Sequence, residues 1–221
     1  MAETRIVCVA NRKGGVGKST VTMLLASAMA KDGKKVVVLD TDSQNSVADT
    51  LRIEKTMYPD SDPLVDVEAI APRYVSDFLR FKASNYDVVF IDPPRITEAK
   101  TDDALALLVA FSDLVLIPVL GSQVDVMSTA GFIDLVKRMA EHKESNNISF
   151  QYFGFINRMN RRKDNEQAFQ YLDKIGLPML DSSLGDLKVF ASPSLFFSVM
   201  DTKEGMERFQ DFYKDVLSKL N

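Results

Sequence analysis

Ten residues constrain this chain more than any others: Asn11-Arg12-Lys13-Gly14-Gly15-Val16-Gly17-Lys18-Ser19-Thr20. An apolar run, Ile6–Ala10, precedes them and reads as a buried strand. A helical pattern follows over Ser19–Asp32, with Leu24, Leu25, Ala28 and Met29 on one face and Gly33 as its stop. Gly14, Gly15 and Gly17 let the backbone N–H groups turn inward around an anion without obstruction from Cβ atoms. The helix that follows adds its positive end to the same place. The common phosphate-loop spacing puts its first glycine at position 12, where this chain has Arg12; Gly17-Lys18-Ser19 fits the second half. Lys18 is then placed to reach β- and γ-phosphates, Ser19 to ligate Mg²⁺ and Thr20 to reach an α-phosphate. Lys13 is a second cation at the other end of the loop, where it can meet a phosphate from another direction.

The rest of the chain repeats the strand–helix alternation. Lys35–Leu39, Tyr86–Ile91, Leu114–Val119 and Gln151–Ile156 read as strands, and Val124–His142, Glu166–Ile175 and Lys203–Leu220 as helices. Continuous apolar strands suit a parallel sheet covered on both faces. The expected fold is one α/β domain over residues 1–221, doubly wound, with a mostly parallel sheet. Ligands of such sheets sit beyond the carboxyl ends of the strands. Arg52–Pro72, with Pro59, Pro63 and Pro72, reads as a surface excursion with one short edge strand near Val65–Ile70. Apolar residues are 46% of the 221, yet no run approaches the roughly 20 needed to span a bilayer. The first residues do not read as a signal peptide, and the single cysteine, Cys8, suits a core position in a reducing cytoplasm.

Acidic residues follow two of the strands. Asp40 and Asp42 lie two residues apart where the second strand ends, and both can face a metal–phosphate centre. The same residues, with Ser43, suit a helix cap. Tyr86–Asp92 is a buried strand ending in a carboxylate, so Asp92 is placed to hold Mg²⁺ through water. Arg95 follows Pro93-Pro94 and reads as a solvent-exposed side chain, or one facing a γ-phosphate or partner chain.

Lys13-Gly14-Gly15-Val16-Gly17-Lys18-Ser19-Thr20 resembles the deviant Walker A motif of the ParA/MinD group of P-loop ATPases. The resemblance spans nearly the whole chain. It implies ATP and Mg²⁺ as ligands and an ATP-dependent homodimer in which Lys13 reaches the partner's ATP, as an arginine finger would. It implies that Asp40 contacts the Mg²⁺ water shell and Asp42 positions the attacking water, although Ser43 stands where the group usually has proline. Asp125 falls in a region of dimer and nucleotide contacts. Asn157, in Phe155-Ile156-Asn157-Arg158, has the donor and acceptor to read an adenine edge.

Within that group the loop's closeness to the first residue resembles the short ParA class without an N-terminal DNA-reading domain. The implied function is DNA partition, with a plasmid as cargo, or else a chromosome or protein assembly. ATP closes a dimer that binds DNA non-specifically on the nucleoid, and a ParB-like centromere-binding partner stimulates hydrolysis. A net charge of −4 confines DNA contact to a local patch. Arg158, Arg161, Arg162 and Lys163, with Lys188, Lys203 and Arg208, are the candidates; a charge run is otherwise a solvated face. A membrane-cycling MinD-like protein and a small-molecule ligase or kinase of the same superfamily are the alternatives. The last helix interleaves Glu207, Asp211 and Asp215 with its cations, which weakens attraction to anionic lipid. One cysteine cannot hold an iron–sulfur cluster.

Overall fold

The computed structural model describes residues 3–96, 99–159 and 164–220. β1 (Arg5–Val9) leads through the glycine loop into α1 (Lys18–Lys31), then β2 (Val36–Asp40), α2 (Ser46–Met57) and β3 (Asp66–Ala69). α3 (Val75–Phe81), β4 (Val88–Asp92), α4 (Ala99–Phe111), β5 (Leu114–Leu120), α5 (Gln123–Ser145) and β6 (Gln151–Asn157) follow. The described chain closes with α6 (Asp164–Lys174), the short α7 (Lys188–Ala191) and α8 (Lys203–Leu220). The six strands lie in the order β3-β2-β4-β1-β5-β6, and every pairing is parallel. β1 is therefore central, between β4 and β5, and its loop opens at the middle of the carboxyl edge.

Strand periodicity sorts the core into two layers. Val7, Val9, Val38, Phe90 and Leu116 face a layer that holds Leu24, Leu25 and Met29 of α1 and Phe209, Phe212 and Val216 of α8. Cys8, Val37, Val89, Ile91 and Val115 face the opposite layer, with Leu105 and Leu108 of α4 and Phe132 and Val136 of α5. Burying each such large side chain contributes about 1.5–3 kcal/mol. The apolar stripe of α8 is spent on this packing: Phe212 meets Phe155 of β6 with ring centroids 4.8 Å apart. No helix among the described residues is long and apolar enough to cross a membrane.

Part of the Arg52–Pro72 expectation needs correction. Residues up to Met57 continue α2, and the edge strand is Asp66–Ala69. Arg52, Ile53, Lys55, Thr56 and Met57 are exposed. α2 is thus a helix with little core face, packed chiefly through Val47 and the partly buried Leu51.

Candidate phosphate-binding site

Gly15 and Gly17 have φ of +76° and +93°, conformations that L side chains rarely adopt. Those two turns wrap the loop over the start of α1, where Gly17 is the N-cap. The loop forms one wall of an open cleft of about 470 Å³, lined also by Lys18, Ser19, Thr20, Asp42, Arg95 and Arg158. Lys18 is buried, and its pKa is lowered by that burial against the opposing pull of Asp92 and Asp42. Such a cation gains from a bound anion.

The acids behave differently from one another. Asp40 is buried, and its Oδ2 accepts from the N–H groups of Val47 (2.9 Å) and Ala48 (3.0 Å) at the start of α2. Its Oδ1 accepts from the Asp42 N–H at 3.3 Å. Asp40 therefore caps α2 from a distance, and contact with a cation's water shell would use its remaining lone pairs. Asp42 lines the cleft; its Oδ1 accepts from the Gln44 N–H (2.9 Å) and its Oδ2 from the Arg95 N–H (3.2 Å). The Arg95 guanidinium stands 3.8 Å from Asp42 Oδ2 and lines the cleft, while its side chain stays largely exposed to solvent.

Asp92 is fully buried, and neither carboxylate oxygen has a hydrogen-bond partner among the described residues. Burial pushes its pKa up to about 7; the nearby Ser19 hydroxyl and Lys18 pull the other way without forming a bond of normal geometry. A carboxylate left so is a ligand waiting for a cation or its water. No group of three or more His, Cys, Asp or Glu among the described residues could hold a metal alone. The arrangement fits Mg²⁺ arriving with phosphate oxygens and water, held by the Ser19 hydroxyl and, through water, Asp92.

Lys13 is not among the residues that line the cleft and forms an ion pair with Asp125 in the first turn of α5. The Asp125 carboxylate also accepts from the Ser122 hydroxyl at 2.5 Å. Asn157, at the end of β6, is buried, with its amide on the Val16 carbonyl. Arg158 lines the cleft, while Lys188, Lys203 and Arg208 are exposed on α7 and α8. Arg161, Arg162 and Lys163 lie outside the described residues. Of the two arginines at the cleft, Arg95 has a γ-phosphate-facing reading among its alternatives in the sequence, whereas Arg158 reads there only as a DNA-contact candidate; its signal for the cleft is position alone, just beyond the carboxyl end of β6.

Residues 7–194 match the family described as the CobQ/CobB/MinD/ParA nucleotide binding domain. A chromosome-partitioning ATPase Soj of Thermus thermophilus is 28% identical over 70% of this chain and 69% of its own length. An ATP-binding protein of Methanocaldococcus jannaschii is 28% identical over 67% of this chain and 64% of its own, so the chain spans about two thirds of these relatives. Among solved structures, apo McdA of Cyanothece superposes with a TM-score of 0.75 at 15% identity, covering 99% of this chain and 100% of that one. A plasmid partition protein of Borrelia burgdorferi bound to AMPPNP gives 0.68 at 21% identity, covering 98% and 100%. These structural likenesses speak for the fold. With 188 consecutive positions matched, from β1 to the loop before α8, the chain belongs to the CobQ/CobB/MinD/ParA nucleotide-binding family.

Proposed function

We propose that this protein is a ParA-type DNA-partition ATPase that binds ATP with Mg²⁺ and works as a homodimer. The observation that carries the hydrolytic reading is Asp92, a buried carboxylate without a hydrogen-bond partner among the described residues, beside a phosphate loop and Lys18. Bound Mg²⁺ would neutralise charge on the β- and γ-phosphates. The loop N–H groups and Lys18 hold those phosphates, and the Ser19 hydroxyl and Asp92 orient the cation's shell. Asp42, tethered by Gln44 and Arg95, has a carboxylate edge at the cleft to align the attacking water. Thr20 contacts the α-phosphate. Lys13 supplies a positive charge in trans once released from Asp125.

The partition reading draws on the named roles of the relatives and on exposed cations. Lys188, Lys203 and Arg208, with the Arg161–Lys163 run, are the proposed DNA surface. Cargo binding runs through a ParB-like partner, and the cytoplasmic protein resides on the nucleoid. The packing of Phe209, Phe212, Tyr213 and Val216 of α8 into the core supports the partition reading over the MinD-like one.

The test is ATP-dependent DNA binding at low salt, with hydrolysis stimulated by DNA plus partner. No DNA affinity in the ATP-bound form would end the partition reading, and sedimentation with liposomes would favour the second. Lys13→Ala is expected to keep monomeric ATP binding and lose hydrolysis. Normal turnover in that variant, with partner present, would refute the role in trans.

A further inference from the structure

We infer that Asn157 is a positioning residue of the phosphate loop, bracing its far end as Asn11 braces its near end. The inference rests on the nucleotide reading above and concerns what Asn157 does within it.

Asn157 ends β6, two strands from β1 in the sheet. Its Nδ2 donates to the Val16 carbonyl at 2.7 Å, and its Oδ1 accepts from the Arg158 N–H at 3.0 Å. A carbonyl only accepts and an N–H only donates, so the two contacts fix the amide's orientation between them. Arg158 takes φ of +55°, uncommon for a residue other than glycine, at the turn that brings its N–H back to this oxygen. On the loop side, a Cβ at Gly17 would lie 2.4 Å from Asn157 Nδ2. The glycine is needed here both for its φ and for the room this amide takes.

The near end is held in the same manner. Asn11 is fully buried; its Oδ1 accepts from the Lys13 N–H at 3.0 Å. Its Nδ2 donates to the Pro118 carbonyl (2.9 Å) and to the Thr129 hydroxyl (3.2 Å). The loop is thus anchored to β5 and α5 at one end and to β6 at the other.

The consequence lies in the peptide plane. In a trans peptide the carbonyl of one residue and the N–H of the next point in opposite directions. Holding the Val16 carbonyl on Asn157 therefore turns the Gly17 N–H away from Asn157. Gly17 also lines the phosphate cleft, so the brace keeps a donor rather than a carbonyl available to an anion. A base-reading role would have to use the one N–H and the lone pair that these contacts leave.

The test separates phosphate binding from base reading. Affinities for Mg²⁺–tripolyphosphate, which has no base, and for Mg²⁺–ATP and Mg²⁺–GTP are measured on the unaltered protein, Asn157→Ala and Asn157→Asp. Loss of the brace should weaken all three ligands by one common factor, about ten- to a hundredfold, with the ATP-to-GTP ratio unchanged. Asn157→Asp keeps the shape and the acceptor for Arg158 but sets an oxygen against the Val16 carbonyl, so it too should lose tripolyphosphate. Unchanged tripolyphosphate affinity with a collapsed ATP-to-GTP ratio would overturn the inference. If Asn157→Ala fails to fold, hydrogen exchange in Asn157→Asp decides, because the new carboxylate also repels phosphate directly. Hydrogen exchange over residues 16–19 reads the brace without any ligand: it should quicken in Asn157→Asp, and unchanged exchange would overturn the inference. An unaltered protein that binds none of the three ligands would instead refute the nucleotide reading, leaving the exchange result to judge the brace.

Discussion

Asp40 and Asp92 sit opposite one another on adjacent parallel strands, in register, and both are buried. The Asp40 carboxylate accepts from three backbone N–H groups, and the Asp92 carboxylate from none among the described residues. Depth is therefore a poor guide to what a carboxylate does; its hydrogen-bond inventory is the better one. Asp40 joins β2 to α2 and shapes the loop that carries Asp42. A buried carboxylate without a partner costs stability, and on the proposed reading a cation at this site would relieve that cost.

The largest expected contrast follows from removing the charge of each. Asp92→Asn should cut Mg²⁺-dependent ATP hydrolysis by about 10²–10³-fold, the scale of losing one well-placed electrostatic group. At pH 8, without nucleotide, the same variant should melt at a higher temperature than the unaltered protein. A lower melting temperature would mean that Asp92 already has a stabilising partner.

Asp40→Ala should act with the opposite sign. It leaves the Val47 and Ala48 N–H groups without their acceptor, a loss of about 1–3 kcal/mol in urea or guanidinium unfolding. An unchanged midpoint would show that α2 starts without this cap.

A smaller effect is read with pH. The folded pKa of Asp92 is raised from 3.8 to about 7, so over that window the folded state holds a proton that the unfolded chain has released. Stability of the nucleotide-free protein should accordingly fall as pH rises from about 4 to about 7 and level off above. The slope from this group is at most about 1.4 kcal/mol per pH unit. Burial also raises the pKa of Asp40, which adds in the same direction. Unfolding at pH 5 and pH 7.5 should show a steeper loss in the unaltered protein than in Asp92→Asn. Equal slopes would assign the titration elsewhere.

Local signals made much of this legible in the sequence. The glycine loop, the strand before it and the helix after it are contiguous, and the inner strands are unbroken apolar runs. The ends of β2 and β4 announce Asp40, Asp42 and Asp92 by position. What escaped was either weakly patterned or distant in the chain. α2 buries little beyond Val47, and the prolines after it suggested an irregular segment that hid its last two turns. The two uses of Asp40 cannot be told apart in sequence, because Asp–x–Asp beyond a strand suits a cap and a metal site equally. The Asn157 contact with Val16 joins residues 141 apart, and the Lys13–Asp125 pair joins β1's loop to the start of α5, beyond the neighbouring strand β5. Pairings of that reach are set by strand order, which local pattern does not encode.

Cys8 offers a consequence of its own. It is the chain's single thiol, it has no accessible surface, and it lies on the central strand just ahead of the glycine loop. Burial above all, and the negative field of Asp92, push its pKa upward, so both access and thiolate formation are suppressed while the sheet is closed. A thiol reagent therefore reacts only with molecules in which β1 has parted from its cover. The protein carries an internal clock for that opening, and its labelling rate, followed with and without nucleotide, would time how firmly an occupied loop locks the middle of the sheet.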